Sequence, residues 1–386
     1  MLPFSFATTA QILCEIGASQ RLAELCRERG AQRVLIVTDP GISKLGLLAD
    51  VLPGFARTEL TVEVFDQVVA DPPEAILLAA VQQAKALKAQ LIIGFGGGSS
   101  MDVAKLVALL AHPDCKQALK DIYGVGNARG RRLPLIQVPT TAGTGSEVTA
   151  VAIVTTPSHE KKGVVSPLLY PDIALLDARL TVGLPPAVSA MTGVDAMVHA
   201  IEAYTSRYKK NVLSDGLAVQ ALRLLAGNLD RVLAQPDDLE ARSAMLLGSM
   251  LAGMAFANAP VAAVHALAYP LGGHFHVPHG LSNALVLVPV LNFNRSTAQA
   301  LYAELAASVL PGQRFDDPAQ ACEAFVGFMT ALVQRMPFAQ RLAEVGVSEA
   351  DLDRLSDDAM KVERLLINNP RPVSREDARA IYASVL

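Results

Sequence analysis

The hydrophobic pattern of this chain changes period once, at Pro185-Pro186. Between about residues 30 and 180, short β-branched runs alternate with helical stretches. RVLIVTD (33–39), LTVEVFD (60–66), QLIIGFGGG (90–98), PLIQVPTT (134–141) and PDIALLDA (171–178) read as strands. The segments SQRLAELCRERG and PEAILLAAVQQAKALKA separate the early strands at helical spacing, so the alternation predicts βαβ units and a mostly parallel sheet. VTAVAIVTT (148–156) and KKGVVS (161–166) predict a hairpin attached to that sheet. Past the proline pair the strands stop, and helices are predicted over 188–206, 211–235, 237–259, 261–271, 280–293, 296–310, 317–336 and 374–385. The fold class is therefore α/β plus all-α, with a Rossmann-like parallel-sheet domain over 1–184 and an all-helical domain over 185–386. At 386 residues the chain exceeds the usual size of one core, and 51% hydrophobic residues suffice to fill two.

Composition narrows the partners. A net charge of -4 leaves no basic footprint for nucleic acid, and no Lys/Arg run suggests an anionic membrane surface. No apolar stretch reaches membrane-spanning length and no leader pattern opens the chain, so a cytoplasmic protein acting on a small molecule is expected. Cys14, Cys26, Cys115 and Cys322 are scattered and form no Cys-x-x-Cys pair, which argues against a disulfide framework or a thiolate metal site.

The helical half carries the metal-binding pattern. Asp195 and His199 stand one turn apart in VSAMTGVDAMVHAIEAY, on one helix face. His265 lies in VAAVHALAYPLGG, and His279 follows a proline where the next helix can begin. Together they offer three imidazole nitrogens and one carboxylate oxygen, a donor set suited to Fe(II), Zn(II), Co(II) or Ni(II). Each residue read singly is more often a hydrogen-bonded core side chain, but the chain has only 7 histidines and these three fall in metal-ligand company. His274 and His276 lie in the loop between the last two, and are assigned to a cleft or the surface rather than to the metal.

Three loops in the α/β half stand where parallel sheets bind ligands, at strand carboxyl ends. GFGGGSSMDVAK (94–105) runs from strand to helix, and Gly96, Gly97 and Gly98 leave backbone N–H groups free to approach a pyrophosphate. PTTAGTGSEVT (139–149) gathers the hydroxyls of Thr140, Thr141, Thr144 and Ser146. Asp39 closes the first strand, where a carboxylate can accept hydrogen bonds from an adenosine ribose and repel a 2′-phosphate, favouring NAD over NADP.

Nearly end to end, the chain resembles the iron-containing (group III) alcohol dehydrogenase family, most specifically in GGGSSMD, PTTAGTGSE, MTGVDAMVHAIEAY and HALAYPLGGHFHVPHG. The resemblance implies an N-terminal dinucleotide-binding domain and a C-terminal metal-binding domain, with metal and nicotinamide meeting between them. It implies Asp195, His199, His265 and His279 as ligands to Fe(II), or else Zn(II). It implies NAD(H) contacts from Asp39, Asp71, Gly97, Gly98, Ser99, Asp102, Thr140, Thr141, Thr144 and Lys161. The reaction implied is reversible oxidation of an alcohol to an aldehyde or ketone, hydride leaving an alkoxide held on the metal. A homodimer or larger homo-oligomer is expected on the same ground.

Two departures stand out. Tyr269 occupies the place, one turn after the third ligand, where many members have a second histidine assigned to proton relay. Asp71 stands where Asn is common. Competing readings are a Zn-dependent glycerol dehydrogenase or dehydroquinate-synthase-like lyase on the same fold, or a catalytically silent scaffold.

Overall fold

The computed structural model describes residues 3–158 and 160–386. They form two compact units, Thr8–Gly183 and Leu184–Leu386, with the residues up to Ala7 belonging to the second. That last assignment departs from a first domain beginning at residue 1, and local hydrogen bonding explains it. The Ala7 N–H donates to Asn258 Oδ1 (2.8 Å), and Asn258 Nδ2 donates back to the Ala7 carbonyl (2.9 Å).

In the α/β unit the strands are β1 (Gln11–Cys14), β2 (Arg33–Val37), β3 (Thr61–Phe65), β4 (Leu91–Gly96), β5 (Gly124–Val125), β6 (Leu135–Pro139), β7 (Val151–Thr155), β8 (Lys161–Val165) and β9 (Ile173–Leu176). Six of them form one parallel sheet in the order β1-β9-β6-β4-β2-β3. Helices α1 (Leu22–Glu28), α2 (Pro40–Lys44), α3 (Leu52–Ala56), α4 (Glu74–Leu87), α5 (Gly98–Leu110) and α6 (Leu119–Ile122) connect and cover it. Successive strand residues face opposite ways, and both faces are apolar. Val34, Ile36, Leu91 and Ile93 pack with Leu22 and Cys26 of α1, whereas Leu35, Val37 and Ile92 pack with Leu77 of α4 and Val103 of α5. Because β3 lies on one side of β2 and β4 on the other, the loops after β2, β4 and β6 open together at the carboxyl edge of three adjacent strands.

The expected hairpin forms, but not as part of this sheet. β7 and β8 pair antiparallel and take β5 as their third strand, in a separate sheet. Its residues are buried only alternately, at Ala152 and Val154, so one face is covered and it does not qualify for the doubly covered central layer. β1 lay outside the predicted strands: QILC is half exposed at the sheet edge and gives no strong apolar run.

The second unit is helical: α7 (Pro186–Tyr204), α8 (Val212–Ala234), α9 (Leu239–Asn258), α10 (Ala263–Phe275), α11 (His279–Val309), α12 (Pro318–Gln334), α13 (Leu352–Met360), α14 (Glu363–Leu366) and α15 (Arg375–Ala383). Helices expected over 280–293 and 296–310 are one, α11, which continues through Pro289. Asn294, between the two expected ranges, is buried within the continuous helix and exchanges hydrogen bonds with Asn369 (3.0 and 2.7 Å). α13 was also unpredicted; its apolar stripe of Leu352, Leu355 and Ala359 is hidden among acidic residues. Among the described residues, no single helix is long and apolar enough to cross a membrane.

Candidate active site and metal centre

Helix α7 carries Asp195, His199 and Glu202 at i, i+4 and i+7, so all three project from one face, and all three are buried. His265 sits in the first turn of α10, and His279 is the first residue of α11, released from the preceding loop by Pro278. A Cβ on Gly280 would lie 2.6 Å from the Met191 carbonyl oxygen, so the start of α11 can press this closely on α7 only with glycine there. The result is one cluster. Ligand atoms of Asp195, His199, His265 and His279 all lie within 4.8 Å of one another.

The donor geometry suits a single divalent ion. His265 Nε2 is 4.0 Å and His279 Nε2 3.8 Å from Asp195 Oδ1. An ion about 2.0 to 2.2 Å from each nitrogen and oxygen would space its donors by roughly 3 to 4 Å. The His199 ring stacks between Phe256 (centroids 4.3 Å apart) and His265 (4.8 Å), which fixes its plane. Burial pushes the Asp195 carboxyl up, but the three imidazoles and the Asn283 amide outweigh it and hold the group below its ordinary value. Asp195 is thus ready as an anionic ligand. His279 is 40% exposed while Asp195 and His265 are 3% exposed, so the cluster is open on the His279 side.

Sequence reasoning missed two residues here. The Glu202 carboxylate accepts from the backbone N–H groups of Ala262 (2.9 Å) and Val264 (2.6 Å) and from His265 Nδ1 (2.6 Å). Because a carboxylate only accepts, His265 must carry its proton on Nδ1, and its Nε2 lone pair faces the cluster. The available signal was a carboxylate one turn after a proposed ligand in an otherwise apolar helix. Asn283, one turn after His279, donates from Nδ2 to Asp195 Oδ1 (2.5 Å) and lies 3.2 Å from both His265 Nε2 and His279 Nε2. Its Oδ1 is buried with no hydrogen-bond partner among the described residues. An Asn in an apolar helix carries no distinctive signal.

Tyr269 projects as its spacing implied, with its ring 6.2 Å from that of His279. Burial pushes its phenol above the ordinary value, opposed by the positive charge of Arg364. His274 and His276 are not in the cluster. His274 Nε2 pairs with Asp358 (2.5 Å) on the surface, and His276 takes the left-handed cap of α10, also exposed.

In the α/β unit, the three expected loops are neighbours. Asp39 caps α2, its Oδ1 accepting from the N–H groups of Gly41 (2.9 Å) and Ile42 (3.1 Å), while Oδ2 accepts from Ser100 (3.3 Å) across the glycine turn. A Cβ on Gly98 would meet Thr144 Cγ2 at 2.9 Å, so glycine there lets the threonine loop lie directly against the start of α5. Ser99 is half-buried in the first turn of α5. The Thr140 N–H donates to the Gly96 carbonyl (3.0 Å), and Thr141 Oγ1 lies 3.6 Å from a Cβ built on Gly97. Asp102 is engaged within the unit: its oxygens accept from Ser146 Oγ (2.7 Å) and the Ile153 N–H (2.9 Å). Lys161 and Asp71 form an ion pair (2.7 Å), with Asp71 in the left-handed region at φ 50°. Asn and Asp tolerate that region best, which explains why a short polar side chain is used there.

Known proteins share this architecture. Residues 9–178 match the family model for iron-containing alcohol dehydrogenase, and residues 189–386 match the C-terminal model of the same family. The Long-chain-alcohol dehydrogenase 1 of Geobacillus thermodenitrificans is 39% identical over 367 residues, spanning 95% of this chain and 92% of that one. A 1,3-propanediol oxidoreductase superposes with a TM-score of 0.95 at 31% identity, each chain fully covered. The sulfoacetaldehyde reductase of Bifidobacterium kashiwanohense, solved in complex with NAD+, superposes at 0.89 with 26% identity, covering 100% of this chain and 99% of that one. A parallel dinucleotide-type sheet joined to a helical unit bearing a His/Asp cluster defines a metal-type dehydrogenase. The chain belongs to the iron-containing alcohol dehydrogenase family and is an oxidoreductase of alcohols and their carbonyl counterparts. Neither the lyase-like nor the scaffold reading is favoured.

Proposed function

We propose that Asp195, His199, His265 and His279 hold Fe(II), with Zn(II) as the second choice, and that NAD(H) is the redox partner in interconverting an alcohol and its aldehyde or ketone. The observation that carries this reading is the four-donor cluster with one exposed member. Three imidazoles and one carboxylate leave a coordination position for a substrate oxygen. When bound, the ion supplies Lewis acidity that makes an alcohol hydroxyl easier to deprotonate. Glu202 keeps the His265 lone pair aimed at the cluster, and Phe256 keeps the His199 ring in plane. The α/β unit binds the nucleotide through Gly97, Gly98, Ser99, Thr140, Thr141 and Thr144, with Asp39 at the adenosine ribose and Asp71 and Lys161 nearer the nicotinamide. The NAD+ complex of a solved relative supports that choice of cofactor. We extend the reading to a cytoplasmic homo-oligomer on the family resemblance, and a single-chain mass by light scattering overturns the oligomeric part. The direct test follows NADH absorbance over a panel of alcohols before and after chelation. Turnover should vanish on chelation and return with Fe(II); turnover indifferent to chelation sinks the metal assignment.

Asp39→Asn should keep the α2 cap and remove the charge. We expect it to raise the NADP/NAD ratio of kcat/KM by about tenfold, because a carboxylate beside a 2′-phosphate costs Coulomb energy that screening only partly removes. Asp39→Gly should shift the ratio the same way but also loses the side-chain cap, at a cost of only about a few tenths of a kcal/mol because glycine is tolerated at a helix N-cap. An unchanged ratio in both variants places Asp39 away from the ribose.

Tyr269 is proposed as a proton-passing group. Its ring lies 6.2 Å from that of His279, the exposed member of the cluster, and a phenol hydroxyl can both donate and accept. Tyr269→Phe should lower kcat by about 10-fold to 100-fold and alter the pH profile, as expected when a general acid–base group is lost but other routes partly compensate. Unchanged rate and pH profile in Phe, with altered substrate preference in Tyr269→Ala, would make it a pocket wall instead.

A further inference from the structure

Lys105, in the second turn of α5, is fully buried. A lysine is rarely buried completely, and every hydrogen of its ammonium must then find an acceptor. Its Nζ donates to Ser146 Oγ (2.7 Å), to Thr149 Oγ1 (3.0 Å) and to the Val151 carbonyl (2.7 Å). Each of these acceptors has its own hydrogen committed elsewhere or has none. Ser146 Oγ donates to Asp102 Oδ1 (2.7 Å), and Thr149 Oγ1 donates to the Ser146 carbonyl (3.3 Å). A neutral amine has two hydrogens and this nest asks for three, so the hydrogen bonds hold Lys105 as the ammonium. Asp102, 3.6 Å away, supplies the counter-charge. Burial pushes the Asp102 carboxyl up and the Lys105 ammonium down, and their mutual attraction opposes both shifts.

The contacts join elements distant in sequence. Asp102 and Lys105 stand one turn apart on the helix that begins at the glycine turn. They grip the 140–149 loop at Ser146 and Thr149, and strand β7 beyond it at Val151 and Ile153. At its other end the loop already touches the glycine turn, through Thr140 on Gly96 and Thr144 against Gly98. With the far end pinned to the same helix, the loop has no independent hinge on that side. The structure assigns Lys105 a positioning role in nucleotide binding: its buried ammonium locks the threonine loop onto α5, so that threonine hydroxyls and glycine N–H groups are presented to the dinucleotide as one rigid surface. This inference rests on the proposal that these two loops bind NAD(H), and it adds the residue that holds them together. Pre-organisation of this kind contributes affinity by removing the ordering cost at the moment of binding.

The test uses the metal-loaded, full-length protein. Lys105→Met keeps the stem and removes the charge and all three donors. Loss of hydrogen bonds to a charged group should weaken NADH binding by about 10-fold to 100-fold, read as Kd by calorimetry. The same variant should keep one metal per chain and change KM for the alcohol at saturating NAD+ by less than about threefold, since uniform loss of cofactor affinity leaves later steps largely intact. A folded Lys105→Met protein whose NADH Kd stays within about twofold of wild type overturns the role, whatever its thermal stability. If Lys105→Met does not fold, Thr149→Val decides, because it deletes one acceptor and conserves shape. Weakening of NADH binding by about threefold or more supports the lock, and an unchanged Kd overturns it. Failure of the wild-type protein itself to bind NADH would instead overturn the cofactor reading, and the lock with it.

Discussion

Replacing His265 with Ala is expected to reduce bound metal from about one ion per chain to a small fraction and to lower turnover by about a thousandfold, since metal-supplied charge stabilisation is worth several kcal/mol. His265 is nearly buried, its Nε2 faces Asp195, and its Nδ1 is already committed to Glu202, so no neighbouring group can replace the lost nitrogen. The fold should survive. The ring stacks on His199 rather than bridging core layers, and the methyl side chain left behind suits the helix. His279→Ala should behave alike from the exposed side of the cluster, whereas His276→Ala, at an exposed helix cap, should retain full metal. Metal analysis after anaerobic reconstitution with Fe(II) is the deciding measurement. Stoichiometric metal in both the His265 and His279 variants sinks the ligand assignment. Aerobic preparations are a poor guide to the working ion, because Zn(II) binds such nitrogen-rich sites more tightly than Fe(II).

Glu202→Gln should weaken metal affinity by about 10-fold to 100-fold, the usual cost of removing a partner that orients a metal-ligating histidine. Three donors converge on the carboxylate: the N–H groups of Ala262 and Val264 and the Nδ1–H of His265. A carboxamide offers one accepting oxygen, and its NH2 must face at least one of those donors. That mismatch leaves buried N–H groups unsatisfied, each costing about 1 to 3 kcal/mol, so a lowered melting temperature should accompany the loss. The affinity and stability effects separate on adding saturating metal. If Glu202 acts through His265, activity should recover at high Fe(II) while the melting temperature of the metal-free protein stays low. Wild-type metal affinity in Glu202→Gln would show that the ring orientation is set by the Phe256 and His199 stack alone.

The contrast between these two residues shows where the legibility of this chain ends. Asp195 and His199 were readable because both lie in one helix, and the spacing of an α-helix determines which side chains share a face. Strands β2, β4, β6 and β9 were readable for a similar reason: strands covered on both faces become continuous apolar runs, distinct from anything helical. The change of period at Pro185-Pro186 likewise marks the place where sheet gives way to helix, because it is written in local sequence. Glu202 was not readable as the orienter of His265, since the two are 63 positions apart and meet only when α7 packs on the start of α10. The continuity of α11 through Asn294 was not readable either, since the buried amide is satisfied by Asn369 from 75 residues away. Lys105 gave no hint that it would be buried, and only the return of the chain at Ser146, Thr149 and Val151 makes an interior ammonium affordable. Period, turn chemistry and ligand spacing are properties of neighbours along the chain, and the sequence by itself determines them. The pairing of buried polar groups across long separations is decided by tertiary packing, because what a buried donor or charge requires is a partner in space.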